Sequence, residues 1–369
     1  MSAAAGPDVI QDGLVLCLDA GNRESYPVSL PSNGLYGRRY VGYFNDDVNW
    51  FETATLHGDV NQLTTIDNFN NSNEDFYSWQ WIGYFKPSTT ENYTFFTSSD
   101  DASYLWIGNN ATTGFTTANA NVNNGGFHGD EEQTSTPVSL TKGVYYPIRI
   151  QFGENDGEDI MSVSFSTPTI SKTRNGLGYY YNGLTTQNTW KDLSNNGNNG
   201  TLTNGPLFSE ENIGSLLFDG VDDYISSSFA TTSNQSVTYA GWLYSTETTA
   251  TYRNFVDSSS QTPMIWWNTS GQIEFDAALY TTSAVYRNQW VYVALSKPSG
   301  SSSASYYVNG VLVGTGTAYT TPALTPTLLN RGGGQTWKGN CSNIQIYNRA
   351  LTPAEVLQNY NATKGRFLL

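Results

Sequence analysis

Apolar and polar residues alternate with a period of two in many short stretches along this chain, the pattern of half-buried β-strands. Such stretches lie at residues 39–44, 77–85, 91–97, 102–107, 144–152 and 160–165, and again at 236–244, 264–267, 273–275, 290–296, 304–308 and 344–346. Gly, Asn, Asp and Pro separate them, as at Asn309-Gly310, so the strands are expected to pair antiparallel across short turns. The run Asn195-Asn196-Gly197-Asn198-Asn199-Gly200 offers two places where positive φ is cheap and reads as tight turns. The pattern changes once. Thr352-Pro353-Ala354-Glu355 is a capping box with proline at the first helical position, which predicts one short helix through about Tyr360, packed by Val356, Leu357 and Tyr360.

An all-β protein with one short C-terminal helix is therefore expected, and composition agrees. The 369 residues suffice for two domains of ordinary size, and 25 Tyr, 17 Phe and 10 Trp suit twisted sheets. A net charge of -15 repels polyanions, so nucleic acid is excluded as a partner. No apolar run approaches the roughly 20 residues of a membrane span, so no membrane insertion is expected. The opening Met-Ser-Ala-Ala-Ala-Gly-Pro has neither a basic nor an apolar signal region, so no signal peptide is expected, and synthesis in a cytoplasm is. The first dozen residues are small and polar and read as an arm, disordered or docked.

Two resemblances organise the strands. GLVLCLDAGNRESYP at 13–27, then WKDLSNNGNNGTLTNGP at 190–206, LLFDGVDDYI at 216–225 and GNCSNIQIYNRALTPAEVLQNYNATKGRF at 339–367 resemble laminin-G-like (concanavalin-A-like) jelly-roll domains, in the version found in virion proteins of marine bacteriophages. Between the halves, YVGYF at 40–44, WQWIGYF at 79–85, YTFFTSSDDASYLWIG at 93–108 and VYYPIRI at 144–150 resemble the sugar-binding module of the anthrax protective-antigen type, shared by yeast flocculins and GLEYA adhesins. The implied architecture is a two-sheet jelly-roll sandwich interrupted by a second, inserted β-sandwich. The expected divisions are an N-terminal arm at 1–12, a discontinuous jelly roll at 13–29 plus 186–369, an inserted domain at 30–172 and a return linker at 173–185. In this fold class the strands holding Cys17 and Cys341 run side by side, which leaves open plain burial and a cross-strand pair.

The chemistry implied for the inserted module centres on Asp100-Asp101. Adjacent carboxylates at a strand end repel one another unless a cation lies between them, and Ca2+ takes six to eight oxygen ligands. The resemblance implies a cis peptide across the pair and a further ligand from the loop Gly153–Asp159, where Asn155 matches the side-chain amide; Glu154 and Asp156 carry no assigned role. Vicinal sugar hydroxyls replace two waters on such an ion, and Trp106 and Phe127 are the candidates to stack on the sugar. The alternative is that the pair is an acidic turn only. Asp46-Asp47 reads as a solvated turn, and His57 and His128 as surface histidines. Asp219 with Asp222-Asp223 reads as a turn or as a second calcium site at the jelly-roll rim.

Concanavalin-A-like folds include retaining glycosidases, which set carboxylates on alternating strand positions. Glu274 and Asp276 fit that spacing, yet Leu279 stands where a third carboxylate belongs, so an enzyme is not expected. The expected function is that of a phage virion surface protein, a capsid decoration or a fibre or tail component, made in the host cytoplasm and carrying Ca2+-dependent carbohydrate binding for host attachment. Its expected partners are other virion proteins, a host surface glycan and further copies of itself in a homo-oligomer. A purely structural virion protein and a glycoside hydrolase are the alternatives.

Overall fold

The computed structural model describes residues 8–29, 31–67, 74–184, 187–232, 234–257, 263–275, 280–301, 303–316, 327–330 and 334–367. The chain forms two compact units, the first made of Met1–Val28 with Thr186–Leu369, the second of Ser29–Thr185. Within the described residues it is nearly all β, with a single α-helix.

The first unit is a sandwich of two antiparallel sheets. One runs in the order Leu207–Ser209, Ser215–Asp219, Lys338–Tyr347, Val237–Ser245, Trp290–Lys297, Ala304–Val308 and Val311–Gly316, with Leu14–Asp19 also paired to Lys338–Tyr347. The other runs Thr189–Trp190, Gly200–Thr203, Tyr224–Ser227, Thr327–Leu328, Arg253–Asp257, Pro263–Trp267, Gln272–Phe275 and Tyr280–Val285. Phe275 stacks on Tyr306 at 4.9 Å across the space between the sheets. The N-terminal and C-terminal portions of the unit thus meet in one sheet, Leu16 opposite Ile346 and Cys17 opposite Gln345. That register leaves Cys17 four residues from the level of Cys341, and both are free thiols.

The helix Pro353–Thr363 begins as its capping box requires, with the Thr352 hydroxyl accepting from the Glu355 N–H and the Glu355 carboxylate from the Thr352 N–H. It covers Trp242, whose ring stacks on Phe367 at 4.2 Å and whose indole N–H donates to the Thr363 hydroxyl at 2.7 Å. The buried helix residues are Val356, Asn359 and Thr363, and Leu357 is 43% exposed, so the expected packing face is corrected: it is rotated past Leu357. Asn359 explains the rotation. Its side chain accepts from the Ile10 N–H and donates to the Tyr347 hydroxyl, docking the end of the N-terminal arm.

The second unit is also a sandwich. Its larger sheet runs Ser32–Asn33, Tyr180–Asn182, Tyr77–Phe85, Tyr146–Glu154, Ser103–Ile107 and Val122–Asn124, with Leu35–Val41 pairing both Tyr77–Phe85 and Leu56–Leu63. Its smaller sheet runs Val138–Leu140, Glu91–Asp100 and Ile160–Ser166, with Glu131–Thr134 also on Glu91–Asp100. Phe85 joins the two layers, lying 5.1 Å from Phe95 and 5.2 Å from Phe165. Within the expected return linker, residues 173–184 carry sheet pairing of their own. Thr173 exchanges two backbone hydrogen bonds with Phe165, and Tyr180–Asn182 pairs with the end of Tyr77–Phe85. The reason lies in Tyr179-Tyr180: Tyr179 packs on Phe165 at 4.7 Å and Tyr180 on Phe85 at 5.8 Å, so this stretch completes the aromatic core.

Candidate functional site

The carboxylates of the second unit meet where two strand pairs run out. Asp100 ends the strand Glu91–Asp100, opposite Ile160, and Ser103 opens the next strand opposite Phe152. That ladder continues one step, with the Gly153 N–H donating to the Ala102 carbonyl at 2.9 Å, and so brings Glu154 beside the Asp pair. Gly153 has no alternative: a Cβ there would lie 2.4 Å from Phe44 Cδ1. The Asp100–Asp101 peptide bond is cis.

Asp101 is fully buried and ties two loops together. Its Oδ1 accepts from the His128 N–H at 3.0 Å and its Oδ2 from the Asn155 N–H at 2.9 Å. Asn155 thus enters the site through its backbone. Glu154 is also fully buried, and neither of its carboxylate oxygens has a hydrogen-bond partner. Burial, then the charges of Asp101, Asp159 and Asp100, push the Glu154 acid up to about 8. Burial and the neighbouring Asp101 charge push Asp100 up to about 6. Three carboxylates are thus held against their mutual repulsion.

One oxygen each from Asp100, Asp101 and Glu154 lies within 4.8 Å of the others. All three donors are hard oxygens, the kind Ca2+ takes. The orphaned Glu154 carboxylate, buried beside two more, fits a divalent cation. Glu154 went unassigned in the sequence, although a signal was there. It shares strand parity with Ile148, Ile150 and Phe152, which are all buried, and an acid continuing a core-facing series is out of place unless something pairs with it.

The loop that passes over the site is fixed at both ends. Asp46 Oδ1 accepts from the Tyr104 hydroxyl at 2.9 Å and from the Gly126 N–H at 3.2 Å, and Asp101 holds His128. Asp46 therefore does more than turn the chain, whereas Asp47 is exposed and accepts from the Asn49 N–H two residues on. Phe127, between these anchors, is 66% exposed. Trp106 is a correction. It is fully buried, stacked on Tyr104 at 5.6 Å, with its indole N–H donating to the Thr116 carbonyl at 3.0 Å, and offers no face to a sugar. Residues 109–119 and the segment around Phe44 and Phe51 cover it in a small second core. The His128 Nδ1 is 2.8 Å from the Gly129 carbonyl.

In the first unit, Glu274 accepts from the Asn268 side chain at 2.8 Å; Asp276 and Leu279 lie outside the described residues. Among the described residues no helix is long and apolar enough to cross a membrane.

Residues 77–167 match the model of the GLEYA domain, and residues 219–357 that of the concanavalin A-like lectin/glucanases superfamily. No curated protein matches the chain. Among solved structures, the A domain of epithelial adhesin 6 from Candida glabrata, in complex with Galb1-3GlcNAc, is similar at 20% identity over 46% of this chain and 93% of that chain, with a TM-score of 0.35. Trypanosoma rangeli sialidase in complex with sialic acid is similar at 14% identity over 49% of this chain and 32% of that chain, with a TM-score of 0.40. An anti-sigma factor domain-containing protein from Clostridium clariflavum is similar at 13% identity over 87% of this chain and 91% of that chain, with a TM-score of 0.33. At these identities and scores none of the three bears on what this chain binds. Two stretches of the chain thus match lectin-type domain families, in keeping with the β-sandwich sheets that hold them.

Proposed function

We propose that this chain is a carbohydrate-binding protein of a phage particle surface, a capsid decoration or a fibre or tail component, that attaches to host glycans and does no chemistry on them. The observation that carries the binding reading is Glu154: a buried carboxylate without a hydrogen-bond partner, packed against Asp100 and Asp101 at a loop-covered sheet end. Asp100, Asp101 and Glu154 would hold Ca2+, with Asn155 beside them. When bound, the ion supplies coordination positions that vicinal sugar hydroxyls take over from water.

The protein's own residues do the rest. Asp101 fixes the loops on both sides through the His128 and Asn155 N–H groups, so the donors are arranged before any ligand arrives. Phe127, exposed between two anchored backbone positions, supplies an apolar face for the C–H side of a sugar ring. The GLEYA match over the residues that build this site supports glycan binding. The virion reading rests on the resemblance of residues 13–27, 190–206, 216–225 and 339–367 to the laminin-G-like version found in virion proteins of marine bacteriophages. Other virion proteins and further copies of this chain are its proposed partners.

The test is a glycan array with the full chain, in Ca2+ and in chelator, beside Glu154→Gln. Binding that disappears with chelator and in the variant is expected; binding that survives both would sink the calcium reading. Immunogold labelling of intact particles tests the location.

A further inference from the structure

We propose that the turn Asp219–Asp223 of the first unit is a second divalent-cation site, suited to Ca2+ and independent of the one built on Glu154. Asp219 ends the strand Ser215–Asp219 in one sheet and Tyr224 opens Tyr224–Ser227 in the other, so these five residues carry the chain between the layers. Much of the turn is self-contained. Asp219 Oδ1 accepts from the Val221 N–H at 2.7 Å, and Gly220 takes a φ of 81° that favours glycine. Protein donors already occupy the carbonyls: Arg253 Nη1 donates to Gly220 at 2.9 Å, Thr336 Oγ1 to Val221 at 3.1 Å and Asn204 Nδ2 to Asp222 at 2.8 Å.

Such a turn needs one carboxylate, and the chain brings three. One oxygen each from Asp219, Asp222 and Asp223 lies within 4.8 Å of the others. Asp223 is only 3% exposed; its Oδ2 accepts from the Asp219 N–H at 2.9 Å, and its Oδ1 is buried without a hydrogen-bond partner. A buried, unpartnered carboxylate oxygen beside two more carboxylates serves no purpose in shaping the turn, and leaving it unsatisfied is costly. A cation at that point meets all three carboxylates.

The donors choose the kind of cation. They are all carboxylate oxygens, which suits a hard ion such as Ca2+. Asp219 and Asp222 are exposed, so water can fill the remaining positions, which suits the six to eight ligands of Ca2+.

Titration calorimetry of the full chain with CaCl2 in a Glu154→Gln background tests this. One equivalent of Ca2+ is expected to bind in that background, weakened roughly tenfold by Asp222→Asn and abolished by Asp223→Asn. Asparagine at 223 keeps an acceptor for the Asp219 N–H, and 222 is exposed, so Asp222→Asn decides the matter should Asp223→Asn fail to fold. Absence of Ca2+ binding in the Glu154→Gln background, or binding that neither substitution changes, would overturn the proposal. Should the Glu154 site bind no ion, wild type and Glu154→Gln would titrate alike, and the Asp222 and Asp223 variants would still decide.

Discussion

The backbone N–H of Asn155 donates to Oδ2 of Asp101 at 2.9 Å. Any side chain at 155 preserves that bond, whereas the charge at 154 belongs to the side chain alone. Asn155→Ala is therefore expected to weaken Ca2+ binding by less than roughly tenfold, and Glu154→Gln by more than roughly a hundredfold. Calorimetric dissociation constants check the order; equal losses would place the amide on the same footing as the carboxylate.

Phe127 and Trp106 separate recognition from stability. Phe127→Ala should lower glycan affinity roughly five- to tenfold and leave the unfolding midpoint unchanged, because its ring is 66% exposed. Trp106→Ala should cost about 3–5 kcal/mol of stability by emptying the small core over residues 109–119. Thermal unfolding beside array binding reads both. A stable Trp106→Ala protein with weakened glycan binding would contradict the burial argument.

Gly153 should tolerate no side chain. The added Cβ of Gly153→Ala would lie 2.4 Å from Phe44 Cδ1, which predicts a loss of about 1–3 kcal/mol and weaker Ca2+ binding as Glu154 shifts. Shortening the obstacle with Phe44→Leu should restore part of the midpoint in the double variant, a coupling that a double-mutant cycle measures. Additive losses would mean that the clash lies elsewhere.

Acid should weaken the first unit through Glu247. Burial alone would raise its acid, but hydrogen bonds from the Thr249 hydroxyl and N–H and from the Arg253 guanidinium hold it down at about 2, against an ordinary 4.5. A carboxylate depressed in the folded state stabilises fully above its unfolded value, so the contribution is lost as pH falls from about 4.5 towards about 2. Glu247→Gln should therefore cost about 3 kcal/mol near neutral pH, and the gap from wild type should close across that acid window. Denaturant unfolding at several pH values checks it; a gap independent of pH would assign the loss to packing.

The strands were legible where an apolar-rich run is bounded by turn residues, as in Tyr77–Phe85 and Trp290–Lys297, whose ends the pattern places to within a residue. Alternation reports burial, not its cause. Val122–Asn124 and Leu207–Ser209 are too short to show a period, and the Tyr179-Tyr180-Tyr181 cluster looked like a connection because its core partners, Phe85 and Phe165, lie elsewhere in the chain. At the site, Asp100-Asp101 was visible as a doublet. Glu154 was hidden among the other acids of its loop until the register with Tyr77 and the Gly153–Ala102 hydrogen bond fixed which acid turns inward. Trp106 misled for a related reason: residues 109–119, which bury it, have no strand pattern of their own.

The stretch over the acidic cluster is moored on either side of Phe127 by backbone N–H groups, Gly126 to Asp46 and His128 to Asp101. The side chain between those moorings is consequently free to diversify. Under the proposed glycan-binding function, one codon, that of Phe127, would alter selectivity among ligands while the scaffold stays intact, which would separate the evolution of preference from the evolution of the fold.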